Sequence, residues 1–99
     1  MNSTDRTSIS VVVPAWNSAR RDELATCLRA IAAQTLTPDE VIVVIDHNDD
    51  LLAWAEAEFP TVKAVPNSHS RGGVGARNTG VESATGEIVV LTDDDTRAD

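Results

Sequence analysis

Ninety-nine residues allow one small domain whose core is limited for its surface. A hydrophobic fraction of 41% excludes a disordered chain, and a net charge of -8, from 16 acids against 8 bases, excludes nucleic acid as a general partner. No apolar run approaches the ~18 residues that span a bilayer, residues 1–8 lack the apolar centre of a signal peptide, and Cys27 is the single cysteine, so a reducing, cytoplasmic setting is expected.

After the polar tail 1–8, the remainder, 9–99, reads as one unit. Residues 9–14 form a β-branched run that ends at Pro14, as a central strand would. Over 21–34 the period changes. Leu24, Cys27, Leu28, Ile31 and Ala32 recur at helical spacing and make one apolar face, which places Cys27 in the core. Thr37-Pro38-Asp39 breaks that helix. Residues 41–45 are nearly all β-branched, as expected of a strand covered on both faces. A polar loop from Asp46 follows, with Asp49 or Asp50 as the expected cap of a helix over 51–58. Residues 61–65 suggest a third strand stopped by Pro66. A Gly-bearing loop over 67–73 leads into a short helix over 75–84, whose Ala76, Gly80 and Ala84 allow close packing on a sheet. Thr85-Gly86 ends it, and residues 87–92 form the fourth strand. Strands alternating with helices predict an α/β fold, a doubly wound and mostly parallel sheet with flanking helices.

Ligands of such sheets bind outside the carboxyl ends of the strands. The polar residues cluster there. Strand one ends in Ala15-Trp16-Asn17, strand two in Asp46, strand three in the Gly loop, and strand four in Asp93-Asp94-Asp95. If the backbone stays extended, Asp93 and Asp95 share one side with Asp94 opposite. Two carboxylates on one side suit Mg²⁺ or Mn²⁺ bound together with substrate phosphates; the alternative is a solvated acidic turn. Arg71, Gly72 and Arg77 belong to a run that can bring backbone N–H and guanidinium groups to a diphosphate, or be a flexible turn. Asp46 can accept from a base or ribose, or make an Asx turn. Trp16 can pack over a base or sugar, or anchor its loop. His47 and His69 lack metal-ligand spacing.

The order of these segments resembles the nucleotide-binding half of family 2 glycosyltransferases with the GT-A fold, from about Ser8 to Asp95. The matching stretches are Val11-Val12-Val13-Pro14-Ala15-Trp16-Asn17, Ala33-Gln34-Thr35, Glu40-Val41-Ile42-Val43-Val44, Gly75-Ala76-Arg77-Asn78-Thr79-Gly80, and residues 84–95 with their terminal aspartates. The resemblance implies that Pro14, Ala15 and Trp16 form the first nucleotide-contacting loop. It places Asp46 near the base and Arg71, Gly72 and Arg77 beside the nucleotide. Asp93 and Asp95 become the outer members of a D-x-D motif, Asp93 toward the ribose and Asp95 toward the metal, with Asp94 between them in the nucleotide site. The metal bridges the diphosphate of the leaving group, and transfer inverts the anomeric centre. A UDP-sugar is the expected donor class.

Where the family usually carries Asp-Asp-Gly-Ser after strand two, this chain has Ile45-Asp46-His47-Asn48. The family's acceptor-binding half and general base lie beyond the D-x-D motif. The resemblance therefore implies a domain cut short after that motif, with its general base beyond Asp99, the last residue. No catalytic base is assignable within the chain. The 99 residues alone are expected to be inactive and to self-associate through strand edges. Two other classes compete with this reading. A non-catalytic, Mg-binding receiver-like module wants a lysine on a further strand after the acidic one, and the last lysine is Lys63. A nucleotidyltransferase-like domain favours a Gly- and Lys-rich signature after strand one, which Ala15-Trp16-Asn17-Ser18 does not supply.

Overall fold

A computed structural model describes residues 7–34 and 37–92. Strand β1 is Ile9–Ala15, helix α1 Arg21–Ala32, strand β2 Glu40–Ile45, helix α2 Asp49–Glu58, strand β3 Lys63–Pro66, helix α3 Gly73–Ser83 and strand β4 Ile88–Leu91. A single 3-10 turn, Ser18–Arg20, joins β1 to α1. The four strands are parallel in the order β3-β2-β1-β4, so the expected α/β sheet is present.

Two apolar layers hold the helices. Alternate residues of β1 and β2 point to opposite faces. On one face Val11, Val13, Val43 and Ile45 meet Leu24, Cys27, Leu28 and Ile31 of α1 and Leu51 and Ala55 of α2. On the other, Val12, Ile42 and Val44 meet Ala76 of α3. The expectation of a strand covered on both faces holds at residues 42–45, which are 0–1% exposed. α3 lies close to the sheet because Gly80 has no side chain; a Cβ there would run into the Val12 side chain.

Several boundaries differ from those expected of the sequence. β1 continues through Pro14 to Ala15, paired with β2 from Ser10 to Ala15. Val12 O accepts from Thr92 N on the β4 side, and Ala15 O accepts from Asp46 N on the β2 side. That alternation turns the Pro14 nitrogen toward the β4 side, where β4 pairs only as far as Leu91. The missing N–H therefore costs no ladder bond. The third strand begins at Lys63 and includes Pro66, because β3 is an edge and the Pro66 nitrogen faces away from β2. α1 stops at Ala32, α3 spans two residues more at its start than expected, and β4 is shorter at both ends.

Candidate functional site

The carboxyl ends of all four strands share one edge, and hydrogen bonds join the segments that follow β1, β2 and β3 into a continuous rim. Trp16 follows β1 and is 65% exposed, beside half-buried Pro14 and buried Ala15. Its carbonyl accepts from Asn48 Nδ2 at 3.0 Å, and the same amide donates to Ser18 Oγ at 2.8 Å. Asn48 Oδ1 accepts from Leu51 N at 3.0 Å, so Asn48 caps α2. The expected caps, Asp49 and Asp50, sit instead in the first turn of the helix, where their charge favours the positive end of its dipole.

Asp46 is the junction of the rim. Its backbone N–H donates to Ala15 O at 2.8 Å. Its side chain is 9% exposed. Oδ1 accepts from Asn67 Nδ2 at 2.9 Å and meets His47 Nδ1 at 2.6 Å, while Oδ2 accepts from Gly72 N at 2.8 Å. Burial pushes the carboxyl up, and the bonds from Asn67, His47 and Gly72 outweigh that and hold it below the usual aspartate value. His47 itself sits at φ 54, the left-handed region.

Asn67 opens the loop after β3 and is 8% exposed. Its Oδ1 accepts from Thr79 Oγ1 at 2.7 Å and from His69 N at 2.9 Å, and its Nδ2 also donates to Ser70 O at 3.1 Å. Thr79, buried on α3, in turn accepts from Ser68 N. The loop thus reaches Gly72, whose φ of 123° only glycine adopts at low cost. Gly75 lies so close to Ser70 O that a Cβ would collide with it. These constraints shape an open concavity of about 390 Å³ over the amino end of α3, lined among others by Arg71, Gly72 and Asn78.

Arg71 and Arg77 are exposed, and neither makes an ion pair among the described residues. His69 instead pairs with Glu82 at 2.9 Å. A larger groove of about 490 Å³, flanked by Arg29 and Phe59, opens at the opposite edge of the sheet and contains none of the expected site residues. Asp93, Asp94 and Asp95 lie outside the described residues. So does Asp99, the residue beyond which the general base is expected. Among the described residues, no three His, Cys, Asp or Glu side chains gather to hold a metal ion.

The structure therefore links Ala15, Trp16, Asp46 and Gly72 through one hydrogen-bonded rim. Three members of that rim escape the sequence pattern: Asn48, Asn67 and Thr79. The first two carry a legible signal, since each is an asparagine immediately after a strand segment or before a helix. Thr79 carries none, because a threonine inside a helix is ordinary.

A model of the family described as "Glycosyl transferase family 2" matches residues 10–99. An uncharacterized glycosyltransferase of Bacillus subtilis, YwdF, is 38% identical over 89 residues, covering 88% of this chain and 32% of its own length. The solved mannosyltransferase PcManGT of Pyrobaculum calidifontis, in complex with GDP-Man and Mn²⁺, superposes with a TM-score of 0.71 at 34% identity, over 91% of this chain and 28% of that one. TarS of S. aureus gives 0.70 at 30% identity, over 89% of this chain and 16% of its own. The chain spans less than a third of the length of these relatives. The match over 10–99 and the shared sheet place this chain in glycosyl transferase family 2.

Proposed function

We propose that this chain is the donor-binding portion of an inverting glycosyltransferase, which holds a nucleotide-diphospho-sugar together with Mn²⁺ or Mg²⁺. The rim joining the β1 end, Asp46 and the Gly72 loop carries this reading. It presents an exposed indole, two exposed arginines and the amino end of α3 at one edge of a parallel sheet. Trp16 would pack on the base or ribose. Arg71 and Arg77 would meet the diphosphate.

The chemistry of the donor set fits a hard divalent cation. Asp93 is next in sequence after Thr92, and Thr92 N donates to Val12 O at this same edge. Asp93 and Asp95 would supply carboxylate oxygens, and Asp94 would face the nucleotide. When bound, the cation neutralises charge on the departing diphosphate. We assign no general base to the rim, because the carboxylate of Asp46 is taken up by Asn67, His47 and Gly72. The 99-residue chain then binds donor and does not transfer sugar unaided.

A UDP-sugar is the proposed donor, on the strength of the family resemblance; the similar PcManGT structure holds GDP-Man. Calorimetric titration of UDP and GDP, each with and without Mn²⁺, separates the two. Tighter UDP binding with metal is expected, and Asp95→Ala should remove the metal effect. A folded chain that binds neither nucleotide under any of these conditions overturns the proposal.

Two further features belong to the same reading. β3 is an edge blunted by Lys63 and Pro66, whereas β4 exposes Ile88, Val90 and Leu91 at 44–49%. Self-association of the isolated chain through β4 follows. No helix among the described residues is long and apolar enough to cross a membrane, and a cytoplasmic location accords with a nucleotide-sugar substrate.

A further inference from the structure

Asp46 is the acid that directly follows β2, and the residue before it, Ile45, is 1% exposed and packs in the core with α1 and α2. We infer that Asp46 is a positioning residue for the loop before α3 and not a contact for the base. Three observations support this. Both carboxylate oxygens already accept hydrogen bonds, from Asn67 Nδ2 and from Gly72 N. The side chain is 9% exposed, which leaves little surface for a ligand atom. Asn67, which Asp46 holds, is itself fixed by buried Thr79, so the loop is gripped from β2 and from α3 at once.

The consequence is a division of labour. Asp46 and Asn67 hold the backbone from Asn67 to Gly72 in one shape, and that shape sets where Arg71 and the first N–H groups of α3 point. The inference rests on the donor-binding reading for its effect on ligand, though not for its effect on the loop. A base contact and a loop anchor make opposite demands. Loss of a base contact weakens one nucleotide more than another. Loss of an anchor weakens all nucleoside diphosphates alike, because the shared diphosphate is what the loop addresses.

Asp46→Asn tests this with nearly unchanged volume. One oxygen becomes an N–H donor facing donors, so at least one bond to Asn67 or Gly72 is lost. Amide hydrogen exchange of the ligand-free chain should show Gly72 or His69, according to which bond is lost, exchanging roughly tenfold faster or more, the size of one charge-assisted bond. Amides of β1 and β2 should keep their protection, which a general loss of stability would not allow. Affinities for UDP and GDP with Mn²⁺ should fall by the same factor. Unchanged exchange at both Gly72 and His69, or a loss confined to one nucleotide, overturns the inference. Should Asp46→Asn not fold, the native chain still decides: the Gly72 amide must exchange slowly, and exchange at the rate of an open loop refutes the anchor. If neither nucleotide binds the native chain, the donor-binding reading fails while the exchange measurements still judge the anchor.

Discussion

Glu40 and Asp46 mark the two ends of β2, and each is spent on holding a neighbouring segment. Glu40 accepts from Thr85 N and from Ser10 Oγ, so it ties the α3–β4 turn to β1. The Thr85 backbone bond is the largest influence on its carboxyl and holds it below the usual range despite burial. Both carboxyls are lowered in the folded chain. Their contribution is therefore complete above the ordinary unfolded values, near pH 4, and is lost as pH falls through the lower folded values. Thermal melts between pH 6 and 3 should show falling stability below about pH 4, and Asp46→Asn should flatten part of that fall. A melting temperature that stays level across this range would contradict the assignment. Gly80→Ala should cost about 1–3 kcal/mol, because the added methyl meets the side chain of Val12, which is fully buried on an interior strand. These roles are hard to read from sequence. An acid at a strand end looks the same whether it faces a ligand or a loop, and only the distance to Gly72 N distinguishes the two.

Periodicity carries most of the secondary structure, since alternation and i, i+3, i+4 spacing are imposed by the faces each element must bury. It places α1 and β2 well because their apolar stripes are unbroken. It fails at boundaries governed by single hydrogen bonds. Pro14 has the look of a terminus, but its nitrogen faces a side where β4 makes no pairing. Asp49 and Asp50 have the look of caps, but Asn48 reaches Leu51 N and also holds the Trp16 carbonyl. Asn48→Ala should therefore cost about 1 kcal/mol in urea denaturation for the cap. It should also loosen the Trp16 loop, visible as a red-shifted or more quenchable Trp16 emission in a Trp54→Phe background. A loss of stability with unchanged quenching would limit Asn48 to the cap alone.

For the molecule as a whole, the sheet divides labour between its two edges. The amino edge carries the Glu40 clamp and the groove beside Phe59, and the carboxyl edge carries the rim. Leu24 sits in the larger apolar layer at 1% exposure, and Leu24→Ala should destabilise by about 2–5 kcal/mol. That is a large fraction of what a domain of this size holds, so partial unfolding at ambient temperature is expected by circular dichroism. Sedimentation of the unaltered chain should show association. Val90→Lys should reduce it by placing a charge on the β4 face, and a monodisperse unaltered monomer would contradict the exposed-edge reading. The fold class is legible because strand and helix alternate. The rim is legible only in part, because Asp46, Asn67 and Thr79 are joined by folding across separate elements.

The central place of β1 also governs the order in which the chain can assemble. The residue before it bonds to the residue before β4: Glu87 N donates to Ser8 Oγ, across 79 positions. At a synthesis rate of 5–20 residues per second, roughly 4–16 s separate the two partners. Until then β1 has a neighbour on one side only, and its open side is an adhesive surface during translation. The last of the four strands to emerge therefore seals the first, and delay at that step exposes the nascent chain to misassembly.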